Sequence, residues 1–103
     1  MSFGLKTETI HKIQGVLALF PDIEKVIVYG SRAKGNYRNG SDIDLTLQGK
    51  ALTPDHHLYP LLDKLDELNL PYTFDISIFD QLEHPDLLAH IDHVGQVFYE
   101  GVK

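Results

Sequence analysis

Cysteine is absent from the 103 residues, which excludes a disulfide framework, a thiolate zinc site and a cysteine nucleophile. A reducing cytosol suits such a chain. Basic residues are scarce: nine Lys and Arg stand against fifteen Asp and Glu, for a formal charge of -6. That balance argues against a broad surface for coating nucleic acid, whose phosphates demand excess positive charge. No apolar run approaches the ~20 residues that a membrane-spanning helix needs, and Met1 to Lys6 lacks the long apolar segment of a signal peptide. The expectation is a cytoplasmic protein with no membrane partner. Internal repeats, low-complexity tracts and interdomain linkers are also missing, which leaves a single domain over 1–103 with room for one core.

What is present is a regular alternation of helical and extended patterns. Ile10, Ile13, Leu17 and Phe20 recur at three- and four-residue spacing, predicting an amphipathic helix from Thr7 to Phe20, with Thr7 as N-cap and Pro21 as stop. Val26-Ile27-Val28-Tyr29 is apolar on both faces and predicts a central strand covered on both sides. Gly30 breaks it, Ser31 to Lys34 could form a short helical turn, and Asn36 to Ser41 is loop. Asp42 to Gln48 alternates, with Ile43, Leu45 and Leu47 on one face and Asp42, Asp44, Thr46 and Gln48 on the other. Thr53-Pro54 starts a helix whose leucine stripe (Leu58, Leu61, Leu62, Leu65, Leu68) reads as core and is too short for a coiled coil.

Tyr72 to Phe79 alternates again, placing Tyr72, Phe74, Ile76 and Ile78 opposite Thr73, Asp75, Ser77 and Phe79. Pro85-Asp86 opens a last helix ending near Gly95, and Gln96 to Tyr99 fits either a strand or a packed terminus. The fold class is therefore α/β in the broad sense (α+β), a small mixed sheet packed with helices.

The chemistry concentrates around Tyr29 to Leu45. If the two alternating strands are neighbours with apolar faces toward the helices, Asp42, Asp44 and Asp75 project from one side. Directly opposed residues lie about 5 Å apart at Cβ, and clustered carboxylates repel unless a cation joins them. Oxygen donors without cysteine favour Mg²⁺ or Mn²⁺ over zinc. Asp80 is a rival third carboxylate but falls past the apolar stretch and reads as a turn residue. Gly30 permits close approach of backbone to a phosphate, and Ser31 adds a hydroxyl. Gly30 and Gly35 have P-loop spacing, yet Asn36-Tyr37 stands where Lys then Ser/Thr is required, so a Walker site is excluded. Asp86, His90 and His93 share a helix face and His56 adjoins His57; a solvated face accounts for them and no role is assigned.

Gly30-Ser31, ten intervening residues, then Asp42-Ile43-Asp44 resembles the signature of the polymerase-β-like nucleotidyltransferases. Gly30 to Gly35 and Ser41 to Leu45 are similar to its small prokaryotic branch, the minimal nucleotidyltransferases, and the resemblance runs from the first helix through the Asp75 strand. It implies an adenylyltransferase-type reaction: a nucleoside monophosphate, usually from ATP, moves to an acceptor hydroxyl and pyrophosphate leaves. It further implies that Asp42 and Asp44 hold two Mg²⁺ ions, that Asp75 completes the catalytic metal site, and that Gly30 and Ser31 grip the β- and γ-phosphates. Arg32 and Lys34 would balance the triphosphate.

Larger relatives carry an additional helical domain for the acceptor, whereas this chain ends soon after the catalytic core. The implied acceptor surface lies on another molecule: a small helical protein of the HEPN class, in a toxin–antitoxin pair whose transferase adenylylates the toxin (AMPylation) as homo- or hetero-oligomer. The alternative is a non-catalytic nucleotide-binding module that neutralises or completes its partner by complex formation.

Overall fold

Ile23–Tyr29, with no polar residue after Lys25, forms β1 and lies inside the sheet, as its two apolar faces require. In the computed structural model, which describes residues 2–101, it follows helix α1 (Thr7–Leu17) and leads into the short helix α2 (Gly30–Lys34), then β2 (Ile43–Gly49). A single π-helical turn (Pro54–Leu58) feeds α3 (Tyr59–Asp66), followed by β3 (Phe74–Ile78), a 3₁₀ turn (Phe79–Gln81), α4 (Pro85–Val94) and β4 (Gln96–Glu100). The mixed sheet has the order β3-β2-β1-β4, with β1 antiparallel to both neighbours and β2 parallel to β3. Among the described residues no helix is long and apolar enough to cross a membrane.

One face of the sheet carries the core. Val26, Val28, Ile43, Leu45 and Leu47 are fully buried there, against Ile13 and Leu17 of α1 and Leu61 and Leu65 of α3. The alternation in β2 thus faces the way its hydrophobic positions demand. The leucine stripe is core, with Leu58 and Leu68 packed at its margin.

Helix α4 differs from α1 and α3 in lying against the opposite face, which the carboxylates share. Ile91 is buried, and a Cβ built on Gly95 would come within 2.7 Å of Ile27 Cγ2 and 2.3 Å of the Ile91 carbonyl. Thr46, expected on an open polar face, is instead fully buried. Its hydroxyl accepts a 2.9 Å hydrogen bond from Ser77 Oγ, so the buried group is satisfied.

Both ends of α1 and the last segment are settled by the local hydrogen bonding. Lys6, extended and without a side-chain cap, occupies the N-cap of α1, and Thr7 is the first helical residue. The helix ends at Leu17 because Leu19 and Phe20 donate to carbonyls three residues back, tightening the chain before Pro21. Gln96–Glu100 is a strand that takes β1 as its partner. Thr53 is the expected cap, accepting from the His56 N–H. His57, to which no role was assigned, accepts from the Thr53 N–H at Nδ1 and meets Asp22 Oδ2 at 2.9 Å through Nε2. With Nδ1 accepting, the proton sits on Nε2, and the ring ties the π-turn to the entry of β1.

Candidate active site

The parallel register of β2 and β3 pairs Ile43 with Phe74, Asp44 with Asp75 and Thr46 with Ser77. Asp44 and Asp75 are therefore direct neighbours on adjacent strands, which run about 4.8 Å apart. Asp42 lies just ahead of β2 and accepts a short hydrogen bond from the Thr73 hydroxyl, which fixes the strand entry. Asp44 also opposes Tyr29 across the antiparallel pair. All three candidate carboxylates thus occupy one patch, and Asp80 is placed apart from them in the 3₁₀ turn.

Electrostatics reports the crowding. Burial is the largest cause holding the Asp44 carboxyl above the usual carboxylate range, and the charges of Asp75 and Asp42 push the same way. His90 and Arg32 oppose the shift. Burial likewise raises the Tyr29 phenol, helped by Asp75 and Asp44 and opposed by its hydrogen bond with Ser77. Among the described residues no three His, Asp or Glu side chains form a ready metal cage. The donor set nevertheless fits a hard divalent cation: oxygens only, with one carboxylate partly desolvated beside two others.

Gly30 carries a geometric requirement. Its φ of +74° is left-handed, and a Cβ there would stand 2.1 Å from Asp44 Oδ2. The carboxylate lies directly over the glycine, so the glycine turn and Asp44 are one packed unit. Gly30→Ala is expected to cost about 1–2 kcal/mol from the backbone alone. By displacing Asp44 it should also lower any reaction that depends on that carboxylate about 10²-fold, the scale of a 1 Å misplacement. Thermal melts and single-turnover assays on the same sample check the pair of effects.

The basic residues divide. Arg32 is only 3% exposed; Nη2 and Nε donate to the Ser41 carbonyl at 2.8 and 3.2 Å, and Nη1 donates to the Phe3 carbonyl at 2.9 Å. Its guanidinium lies 4.9 Å from the Tyr72 ring centroid and 5.5 Å from that of Tyr37. This side chain braces the loop between Gly30 and Asp42. Lys34, at the end of α2, is exposed. Ser31 opens α2 beside Gly30, and its carbonyl accepts from the Gly35 and Asn36 N–H groups at the left-handed Gly35 cap.

A matching family model settles the class: the polymerase beta, nucleotidyltransferase model covers residues 11–102. The chain belongs to this nucleotidyltransferase family. No curated protein matches the sequence. Among solved structures, the nucleotidyltransferase chain is similar to a toxin–antitoxin structure with AMP-PNP at 19% identity and TM-score 0.73, over 91% of this chain and 74% of that one. It is similar to a mutant of the toxin–antitoxin MntA-HpeT at 16% identity and TM-score 0.70, over 96% and 76% of the two chains. A third likeness is to a Sulfolobus solfataricus protein assigned as a nucleotidyltransferase, at 19% identity, TM-score 0.52 and 94% and 91% coverage. At these identities the likeness is one of fold.

Of four polar or aromatic neighbours of the carboxylates, the period of two already placed Thr73 and Ser77 on the Asp75 face, while Tyr29 and His90 escaped sequence reasoning. Tyr29 immediately precedes the glycine turn but looks like any strand-ending aromatic. His90 had no local signal: its Nε2 accepts from the Gly30 N–H at 3.1 Å across 60 residues of sequence.

Proposed function

We propose that this nucleotidyltransferase moves AMP from ATP to a hydroxyl of a partner protein, as the antitoxin half of a toxin–antitoxin pair whose toxin is a small helical HEPN-type protein. The observation that carries the reading is the in-register pairing of Asp44 with Asp75, with Asp42 at the strand entry and Gly30 packed under Asp44. Support for ATP and for a protein partner comes from the fold likeness to toxin–antitoxin structures, one of them with AMP-PNP.

In the reaction the acceptor oxygen attacks the α-phosphorus, its bond to the pyrophosphate oxygen breaks, and pyrophosphate leaves. The proton of the acceptor hydroxyl passes to Asp75, which is the exposed member of the carboxylate pair. Asp42, Asp44 and Asp75 would hold two Mg²⁺ ions, with Mn²⁺ as a substitute; when bound, they supply charge neutralisation at the phosphates. Gly30 and Ser31 hold the β- and γ-phosphates, Lys34 adds positive charge from the end of α2, and Arg32 keeps the loop in place. The high-lying Tyr29 phenol stays protonated and supports the β3 side through Ser77.

The test is to titrate the protein with Mg²⁺ and a non-hydrolysable ATP analogue, then to supply ATP and the partner. Saturable, Mg²⁺-dependent binding followed by a mass increase of one AMP on the partner supports the reading. A tight complex whose partner keeps its mass would instead make the chain a masking module and overturn the transfer.

A further inference from the structure

The Gly30 amide has one proton, and in this structure that proton points at an imidazole. His90 Nε2 accepts it at 3.1 Å, so the ring presents a lone pair there and the neutral tautomer carries its proton on Nδ1. The same ring stands edge-on to Tyr29, 6.1 Å between centroids. A second tie joins the end of α4 to the turn: Gln96, at the start of β4, donates from Nε2 to the Ala33 carbonyl at 3.2 Å. Meanwhile α4 is seated firmly on the sheet through buried Ile91 and the close approach of Gly95 to Ile27. The helix is fixed, whereas the His90 side chain is only half-buried.

A phosphate oxygen and an imidazole nitrogen cannot both take one N–H along its axis. We propose that α4 latches the phosphate-gripping turn: His90 holds the Gly30 N–H that a triphosphate oxygen takes, so nucleotide binding requires the imidazole to swing off Gly30. This rests on the reading of Gly30 and Ser31 as the triphosphate grip. The latch sets nucleotide affinity from a helix outside the Gly-Ser and Asp-x-Asp segments. Any contact that holds the His90 ring in place would weaken nucleotide binding, and any that draws it away would strengthen binding.

The experiment uses the full chain with Mg²⁺ and a non-hydrolysable ATP analogue. Calorimetry compares wild type with His90→Ala and with His90→Phe, which keeps an aromatic ring beside Tyr29 but cannot accept the proton. Freeing one amide from a hydrogen bond of ordinary net strength should tighten nucleotide binding about three- to tenfold in both variants. In wild type, ¹⁵N spectra at saturation should show the Gly30 amide shifted and the His90 Nε2 released from its hydrogen bond. Persistence of the Gly30–His90 bond at saturation, or unchanged or weaker binding by the variants, overturns the latch while leaving the nucleotide reading intact. Absence of nucleotide binding in all three proteins overturns both. Should either variant fail to fold, the wild-type spectra alone decide.

Discussion

Asp44→Asn is expected to abolish transfer while making the metal-free protein more stable. The two effects share one cause. Asp44 is pressed upward in pKa first by burial and then by Asp75 and Asp42, so its charge is held in the folded chain at a cost. A folded carboxyl that is harder to ionise binds more protons than the unfolded one. In buffer with chelator, its contribution therefore favours folding increasingly as pH falls from the raised pKa toward the ordinary carboxylate value. The unfavourable contribution is complete above the raised pKa, so at neutral pH the neutral, similarly shaped Asn should melt at a higher temperature. That advantage should vanish below the ordinary carboxylate range, where wild type is neutral too. Adding Mg²⁺ should reverse the order, because ligand binding stabilises only the chain that holds it. Loss of several kcal/mol of charge stabilisation at the phosphates corresponds to about 10²–10⁴-fold in rate. A variant that is less stable than wild type in chelator at neutral pH would contradict this account of the site.

Arg32→Ala is expected to be the most destabilising single change in the catalytic loop. Truncation leaves the Ser41 and Phe3 carbonyls without their charged donor and removes the cation from beside the Tyr37 and Tyr72 rings. Hydrogen bonds to a charged group contribute about 1.5–3 kcal/mol each, so losing those to Ser41 and Phe3 costs about 3 kcal/mol or more. For a domain of this size that lowers Tm by more than about 10 °C. Arg32→Lys should recover only part of the loss, since the donors of a single ammonium nitrogen cannot reproduce the planar fork by which three guanidinium nitrogens meet Ser41 and Phe3. If Arg32 served only to attract phosphate, Arg32→Ala would melt like wild type and lose only nucleotide affinity. Melting curves beside nucleotide titrations separate these outcomes.

The position of Arg32 shows what a sequence cannot display. Its charge type and its place beside Gly30-Ser31 suggest a phosphate ligand, while its burial depends on carbonyls and rings brought together from Phe3, Ser41 and Tyr72. Strand β4 carried no pattern that separated a strand from a packed terminus. Strand β1 was legible because its run is apolar on both faces, and β2 and β3 because a period of two sorts buried from exposed residues. Asp44 and Asp75 share a patch for the same reason: equal parity on neighbouring strands, whatever their direction. Parallel pairing of β2 and β3, which makes the two carboxylates direct partners, needed the α3 crossover to be seen. Helix α4 carries an ordinary amphipathic pattern, and nothing in it says that it covers the carboxylate face. His90 was consequently indistinguishable from the other histidines, and the expected cap at Thr7 fell one position late, with Lys6 at the N-cap.

The central claim is that the patch of Asp42, Asp44 and Asp75 transfers a nucleotide to a protein hydroxyl. Its most direct test incubates wild type, Asp42→Asn and Asp44→Asn with the partner, Mg²⁺ and ATP labelled in parallel at the α- or γ-phosphate. The expected result is α-label on the partner with wild type only, γ-label recovered in pyrophosphate, and no label with either variant. Label arriving from the γ-position, or α-label transferred equally by both aspartate variants, would contradict it.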